Sequence, residues 1–156
     1  MPLMSAGILL FRGTAAHAEV FLVHHGGPYW ANKDEGAWSV PKGIVNADED
    51  HFACALREFT EETGFAAEDS GHDLGIFRLP GGKRLHIWAI AGDCDPAKLK
   101  SNRFELEWPP RSRKIQLFPE VDRGGWFGQT DACRKIAQGQ RAIIDTFFNT
   151  AGGARD

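Results

Sequence analysis

Cysteine is scarce in this 156-residue chain: Cys54, Cys94 and Cys133 are the only three, an odd number without metal-ligand spacing. That argues against a disulfide scaffold and suits free thiols in a reducing compartment. No apolar run approaches the roughly 18 residues that a membrane-crossing helix needs, and no basic segment precedes a cleavable apolar stretch. The expectation is a cytoplasmic protein with no membrane partner. An excess of one charge is also missing, since 18 Lys and Arg face 21 Asp and Glu, for a net charge of −3 and a pI near 6.1. Such a balance gives no sign of general nucleic-acid binding, so a polyanionic ligand has to be met locally. Internal repeats and low-complexity stretches are absent, and Tyr29 is the only tyrosine.

What remains is an ordinary globular composition, 42% hydrophobic and 25% charged, enough for one core over a single domain spanning residues 1–156. Strand-like segments fall at 5–12, 19–24, 74–79 and 84–91, rich in aliphatic or aromatic residues and bounded by Gly, Pro or Asp. One helix is predicted from about Asp50, a capping residue, to Gly64, with Asn46 and Glu49 forming a competing capping box. A second is predicted from about Thr130 to Phe148, its apolar face made by Ile136, Ile143, Ile144, Phe147 and Phe148. Strands followed by helices in this order fit an α/β layered fold.

The chemistry concentrates in the 23 residues from Gly43 to Phe65. Glu58, Glu61 and Glu62 stand at i, i+3 and i+4, which puts three carboxylates on one helical face. Phe52, Leu56, Phe59 and Thr63 form a separate stripe directed elsewhere. Each like-charge pair costs roughly 0.2–0.5 kcal/mol, and anions near a helix C-terminus also oppose its dipole. Arg57 neutralises only part of this, and the natural remedy for crowded carboxylate oxygens is a hard cation, Mg²⁺ or Mn²⁺. Taken alone, the three glutamates fit a solvated helix face equally well.

The flanking residues decide the matter. Gly43, Glu49, Arg57, Glu58, Phe59, Glu61, Glu62, Gly64 and Phe65 occupy every fixed position of the Nudix box, so the chain resembles a Nudix hydrolase. The preceding Trp38-Ser39-Val40-Pro41-Lys42 and the later Pro119-Glu120-Val121-Asp122 leading to Trp126-Phe127 are similar to that family as well. The resemblance implies an α/β/α sandwich with a mixed sheet between helices. It also implies metal-assisted attack of water on a pyrophosphate linkage. Glu58 and Glu62 would be the main metal ligands, with Glu61 a further ligand or a helper in water activation and the Gly43 carbonyl another oxygen donor. Glu49 and Arg57 would hold the loop before the helix.

The resemblance also implies a general base on a loop glutamate ahead of a late aromatic strand, a place that Glu120 fills, ahead of Trp126 and behind Pro119, which would stiffen the loop; Glu105 and Glu107 are rivals on a strand-like run that aims both to one side. Tyr29, Trp30 and Trp38 are candidates for stacking a base, although Trp38 reads equally as core. Lys42, Arg78, Lys83 and Arg84 are candidates for phosphate contacts. The segment from Gly26 to Gly36 reads as a long mobile loop near the site, and the adjacent His24 and His25, on opposite strand faces, as non-ligands. The expected substrate is a small nucleotide, a (deoxy)nucleoside triphosphate or dinucleoside polyphosphate, with ADP-ribose, a diphosphoinositol phosphate or a non-catalytic nucleotide sensor as alternatives. Removal of messenger-RNA caps is disfavoured because no basic groove is evident. A monomer or homodimer is expected.

Overall fold

In the computed structural model, which describes residues 3–153, a seven-stranded mixed sheet forms the centre. The elements in order are β1 (Met4–Arg12), β2 (Glu19–His25), β3 (Trp38–Ser39), β4 (Lys42–Ile44), α1 (His51–Thr63), β5 (His72–Arg78), β6 (Arg84–Ala91), β7 (Arg103–Glu107), β8 (Ile115–Pro119), β9 (Val121–Phe127), α2 (Gln129–Lys135) and α3 (Arg141–Gly153). The strand order is β3-β2-β1-β6-β5, with β4 added to β1 and β9 to β2. β1 and β6 are parallel, from Met4 opposite Arg84 to Phe11 opposite Ala91, and the other pairs are antiparallel.

Because β1 is covered on both faces, its centre is a continuous buried run rather than an alternating one. Ala6, Ile8 and Leu10 pack with Phe21, Cys54, Ala55 and Phe59 beneath α1. Leu9 packs on the opposite face with Leu22, Leu85, Ile87, Ile143, Ile144 and Phe147, beneath α3. The fold is therefore a mixed sheet between helical layers, as the resemblance implies. Among the described residues no helix is long and apolar enough to cross a membrane.

The first helix is set by its caps. Asp50 accepts from the Ala53 N–H at 3.0 Å, and Gly64 ends the helix in the left-handed conformation, φ 79°. Asn46 and Glu49 do not start it; Glu49 instead accepts from the Asn46 N–H and folds the preceding turn. Phe52 and Leu56 are half-buried, while Cys54, Ala55, Phe59 and Thr63 are fully withdrawn.

The second helix departs from expectation. It is two helices, α2 and α3, because Ile136 is extended (ψ 150°) and bridges Trp38, with the Ala137 N–H donating to the Trp38 carbonyl. A buried Ile136 satisfies helical periodicity and an extended crossing equally, so the periodicity does not reveal the break. Strands β7 and β8 form a separate hairpin; the alternation of β7 is as expected, but its partner is not among the expected strands.

Gln140 closes the crossing. Its side chain is buried, accepts from the Val40 N–H at 3.1 Å and donates to Ser39 Oγ at 3.0 Å. Gln140→Leu leaves that N–H without an acceptor, a cost of about 1–3 kcal/mol. Calorimetry should show a Tm lower by several degrees, at about 2–4 °C per kcal/mol for a chain of this size. An unchanged Tm would overturn this role.

Candidate active site

The site begins at a close approach. Gly43 of β4 pairs with Ala6, and a Cβ added to Gly43 would sit 1.9 Å from the carboxyl carbon of Glu58. Only glycine lets α1 lie this near the strand. One turn before Glu58, Cys54 directs its thiol at the Gly43 and Ile44 carbonyls, at 3.7 and 3.6 Å. Burial pushes that thiol up to about 11, which marks it as packing rather than a nucleophile.

Arg57 organises the carboxylates around this contact. Its Nε and one terminal nitrogen donate to both oxygens of Glu49 at 3.0 Å, and the other terminal nitrogen donates to Glu58 at 2.9 Å and Glu61 at 3.2 Å. The fork holds the Glu49 carboxyl down at about 2. Glu62 lies deeper: burial pushes its carboxyl up to about 8, against the opposing pull of the Lys42 ammonium and of the Lys42 N–H, which donates to it at 3.3 Å. Glu58 is raised by burial and by Glu61, with Arg57 opposing.

Glu120 joins the group from the turn between β8 and β9. Its carboxyl is raised by burial first and then by Glu61, and it contributes in turn to raising Glu58 and Glu62. Its backbone is fixed at both ends: its N–H donates to the Asn102 carbonyl and its carbonyl accepts from the Gly26 N–H, while the Asn102 N–H donates to the Glu61 carbonyl. Asn102 and Gly26 therefore position the site without any motif announcing them. Gly26 is close-packed as well, since a Cβ there would meet the Pro119 carbonyl at 1.9 Å.

The remaining expected residues divide. Lys42 stands among the carboxylates, as its influence on Glu62 and Glu120 requires. Arg78 and Arg84 face each other across β5 and β6 beside the 80–82 turn, and Lys83 follows that turn; none of the three contributes to the shifts of the site carboxyls. Trp38 is 5% exposed, wedged between His24 and Phe127 with its indole donating to Asp34, so its ring is committed to the core and not offered to a base. Tyr29 is 56% exposed and sits edge-on to Trp108 at 5.1 Å. Glu105 and Glu107 lie on the exposed side of β7, and Glu107 is used by the Arg113 N–H.

The segment from Gly26 to Gly36 is not a free loop. Asp34 binds Trp38 and Lys135, Glu35 binds Arg134, and the Lys33 carbonyl lies 2.6 Å from His24 Nε2. The other nitrogen of fully buried His24 lies 2.8 Å from Asp122, two residues after Glu120. His25 points the other way, against Trp30, and burial pushes its imidazole down to about 4.

Donor chemistry is the test of whether a metal suits these residues. Glu58, Glu61, Glu62, Glu120 and the Gly43 carbonyl offer oxygen alone, the donor set of a hard divalent cation. Burial first and neighbouring carboxylates second raise Glu58, Glu62 and Glu120, and Arg57 and Lys42 offset this only in part. Among the described residues no three His, Cys, Asp or Glu side chains already converge as a closed ligand set; Arg57 lies between Glu58 and Glu61. By donor type the residues fit.

Comparison with known proteins identifies the family and the fold. The model of the NUDIX domain family matches residues 1–147. The chain belongs to that family, and so to the class of Nudix hydrolases. It is 56% identical over 120 residues to the mRNA-decapping protein g5R of African swine fever virus, covering 73% of this chain and 46% of that protein, so it spans about half the relative's length. Its fold is similar to the Ap4A hydrolase of C. elegans (TM-score 0.62, 21% identity, 96% of this chain and 98% of the other). It is likewise similar to a mutT/nudix family protein from Listeria innocua (TM-score 0.64, 17% identity, 99% and 98%).

Two outcomes follow. Gly43→Ala must displace Glu58, and a misplacement of about 1 Å at a reacting site costs on the order of 100-fold in rate; turnover at wild-type level would contradict the cradle. The Glu62 carboxyl is raised above its ordinary 4.5, so the stability linked to it is complete below about 4.5 and is lost as pH rises through about 8. In EDTA the wild-type Tm should fall across that window relative to Glu62→Gln, and Mg²⁺ should reduce the difference. Parallel profiles in EDTA would refute it.

Proposed function

We propose that this protein hydrolyses a phosphoanhydride bond in a nucleotide, with Glu58, Glu61, Glu62 and the Gly43 carbonyl holding Mg²⁺ or Mn²⁺. The observation that carries the reading is the gathering of Glu58, Glu62 and Glu120, each raised by burial first and then by neighbouring carboxylates, with Glu58 seated against Gly43 where any side chain on the strand would displace it. When bound, the cation stabilises charge developing on the phosphoryl oxygens and acidifies its bound water. Glu120 accepts the proton from the attacking water. Burial first, and then the neighbouring Glu61, raise its carboxyl, which makes it a stronger base than an ordinary glutamate. Lys42 meets the phosphate charge, and Arg57, fixed by Glu49, keeps Glu58 and Glu61 in register. Tyr29, the exposed ring of the 26–36 segment, is the candidate for contact with a base.

The substrate class we favour is a (deoxy)nucleoside triphosphate or a dinucleoside polyphosphate. The Ap4A hydrolase and decapping relatives support the second of these. An mRNA cap also joins two nucleosides through a polyphosphate bridge, so a capped 5′ end presents the same bond and returns as a substrate that the charge balance had disfavoured. All three cysteines are free thiols, in keeping with a reducing cytoplasm. The test is nucleotide and phosphate release, with Mg²⁺ and with Mn²⁺, across nucleoside triphosphates, dinucleoside polyphosphates, cap analogues, ADP-ribose and diphosphoinositol phosphates. Glu62→Gln should lose about 100-fold or more, and Glu120→Gln about 10²–10⁴-fold, in kcat. Full activity in Glu120→Gln moves the base elsewhere. Tight nucleotide binding with no turnover of any substrate favours a sensor.

A further inference from the structure

The hairpin of β7 and β8 is not used by the mechanism above, yet it leads straight out of the site. Its base is Asn102 and Glu120, joined by a backbone hydrogen bond, and its two strands run five residues each, roughly 17 Å, to a tip at 108–114. The tip reads Trp108-Pro109-Pro110-Arg111-Ser112-Arg113-Lys114. Tyr29 lies alongside, its ring edge-on to Trp108, so the 26–36 segment meets the arm at its tip as well as at its base, where the Gly26 N–H donates to the Glu120 carbonyl.

Three features of this arm point to one kind of ligand. The first is charge: Arg103, Arg111, Arg113 and Lys114 are all exposed, and none enters an ion pair among the described residues. Against these four stand the carboxylates of Glu105 and Glu107, on a chain whose net charge is −3. The second is backbone: Arg111 and Arg113 hold φ of 63° and 62°, the left-handed region where glycine or asparagine is easier. Keeping arginine at two such positions gives up backbone stability for exposed guanidinium groups. The third is aromatic: Trp108, whose backbone N–H donates to the Lys114 carbonyl, opens the same basic tip and meets the Tyr29 ring, so a stacking surface and positive charge share one tip, the combination by which single-stranded nucleic acid is held.

We propose that the arm binds the single-stranded RNA that follows a polyphosphate-bridged 5′ end, its cations on the phosphates and Trp108 under a base. This rests on the hydrolytic reading for its substrate, but the binding itself is independent of catalysis. The arm's length suits about four nucleotides or more, the lower end of known single-strand site sizes.

The test is fluorescence anisotropy of a labelled single-stranded RNA oligonucleotide in EDTA, for the full chain and for the triple variant Arg111→Ser, Arg113→Ser, Lys114→Ser. Anionic vesicles serve as a second probe. Each phosphate contact contributes about 0.7 to the salt slope of single-strand binding, so the variant should show a slope smaller by about 2 and bind about 10- to 100-fold more weakly at low salt. Trp108→Ala should weaken binding about equally at all salt concentrations. Equal affinities and slopes in wild type and variant would overturn the proposal, as would binding to vesicles but not to RNA. Hydrolysis of an unattached dinucleoside polyphosphate is run on the same samples. It should be unchanged in the triple variant, which also shows that the fold is intact. Its absence in both proteins refutes the hydrolytic reading while leaving arm-dependent RNA binding to stand or fall separately.

Discussion

The site depends on one guanidinium. Arg57 holds Glu49 with two parallel hydrogen bonds and spends its remaining nitrogen on Glu58 and Glu61, so a single side chain ties the loop before the helix to the carboxylates on it. The geometry is one-sided. Glu49 is fully matched by the fork and lies well below the usual carboxylate range, whereas Glu58 stays raised because its burial, and next the charge of Glu61, outweigh the single arginine nitrogen it shares with Glu61. Arg57 thus anchors firmly at its structural end and only partly neutralises at its chemical end. That residual anionic character gives a cation a reason to bind.

Around this anchor the sheet supplies the close contacts. β1 sits between β4 and β6 and carries both hydrophobic layers, so the position of Gly43 is fixed by core packing rather than by the loop that contains it. Glu62, the most deeply buried of the site carboxyls, lies against the backbone of Lys42 on the same short strand. Stability and chemistry oppose each other here, since the burial that shapes the site also penalises the ionised carboxylates it displays.

Much of this was legible in the residues, because it depends on local rules. The helix with Asp50 and Gly64 at its ends, the strands flanking it and the single face shared by Glu58, Glu61 and Glu62 all follow from caps and periodicity. What the sequence hid depends on contacts between distant segments. Ile136 could serve a helix or a crossing strand, and only Trp38 decides it. The solvent-exposed side of β8, with Ile115 and Leu117 61% and 59% exposed, gives no amphipathic signal against the main core. Asn102 and Gly26 act through backbone groups, which carry no side-chain signature. Trp38 was ambiguous because a tryptophan in a strand before a site serves stacking and core packing alike, and burial alone separates the two.

His24 has a mechanical consequence. Both ring nitrogens of this buried residue are engaged, one by the Lys33 carbonyl of the 26–36 segment and the other by Asp122 near the start of β9. The β2–β9 register shifts at this point, between His24 and His25, and Glu120 lies just ahead on the same turn. The segment and the turn are therefore clamped to one rigid pin. The spacing between the 26–36 segment and the turn that carries Glu120 is set by one buried side chain and not by the length of either connection.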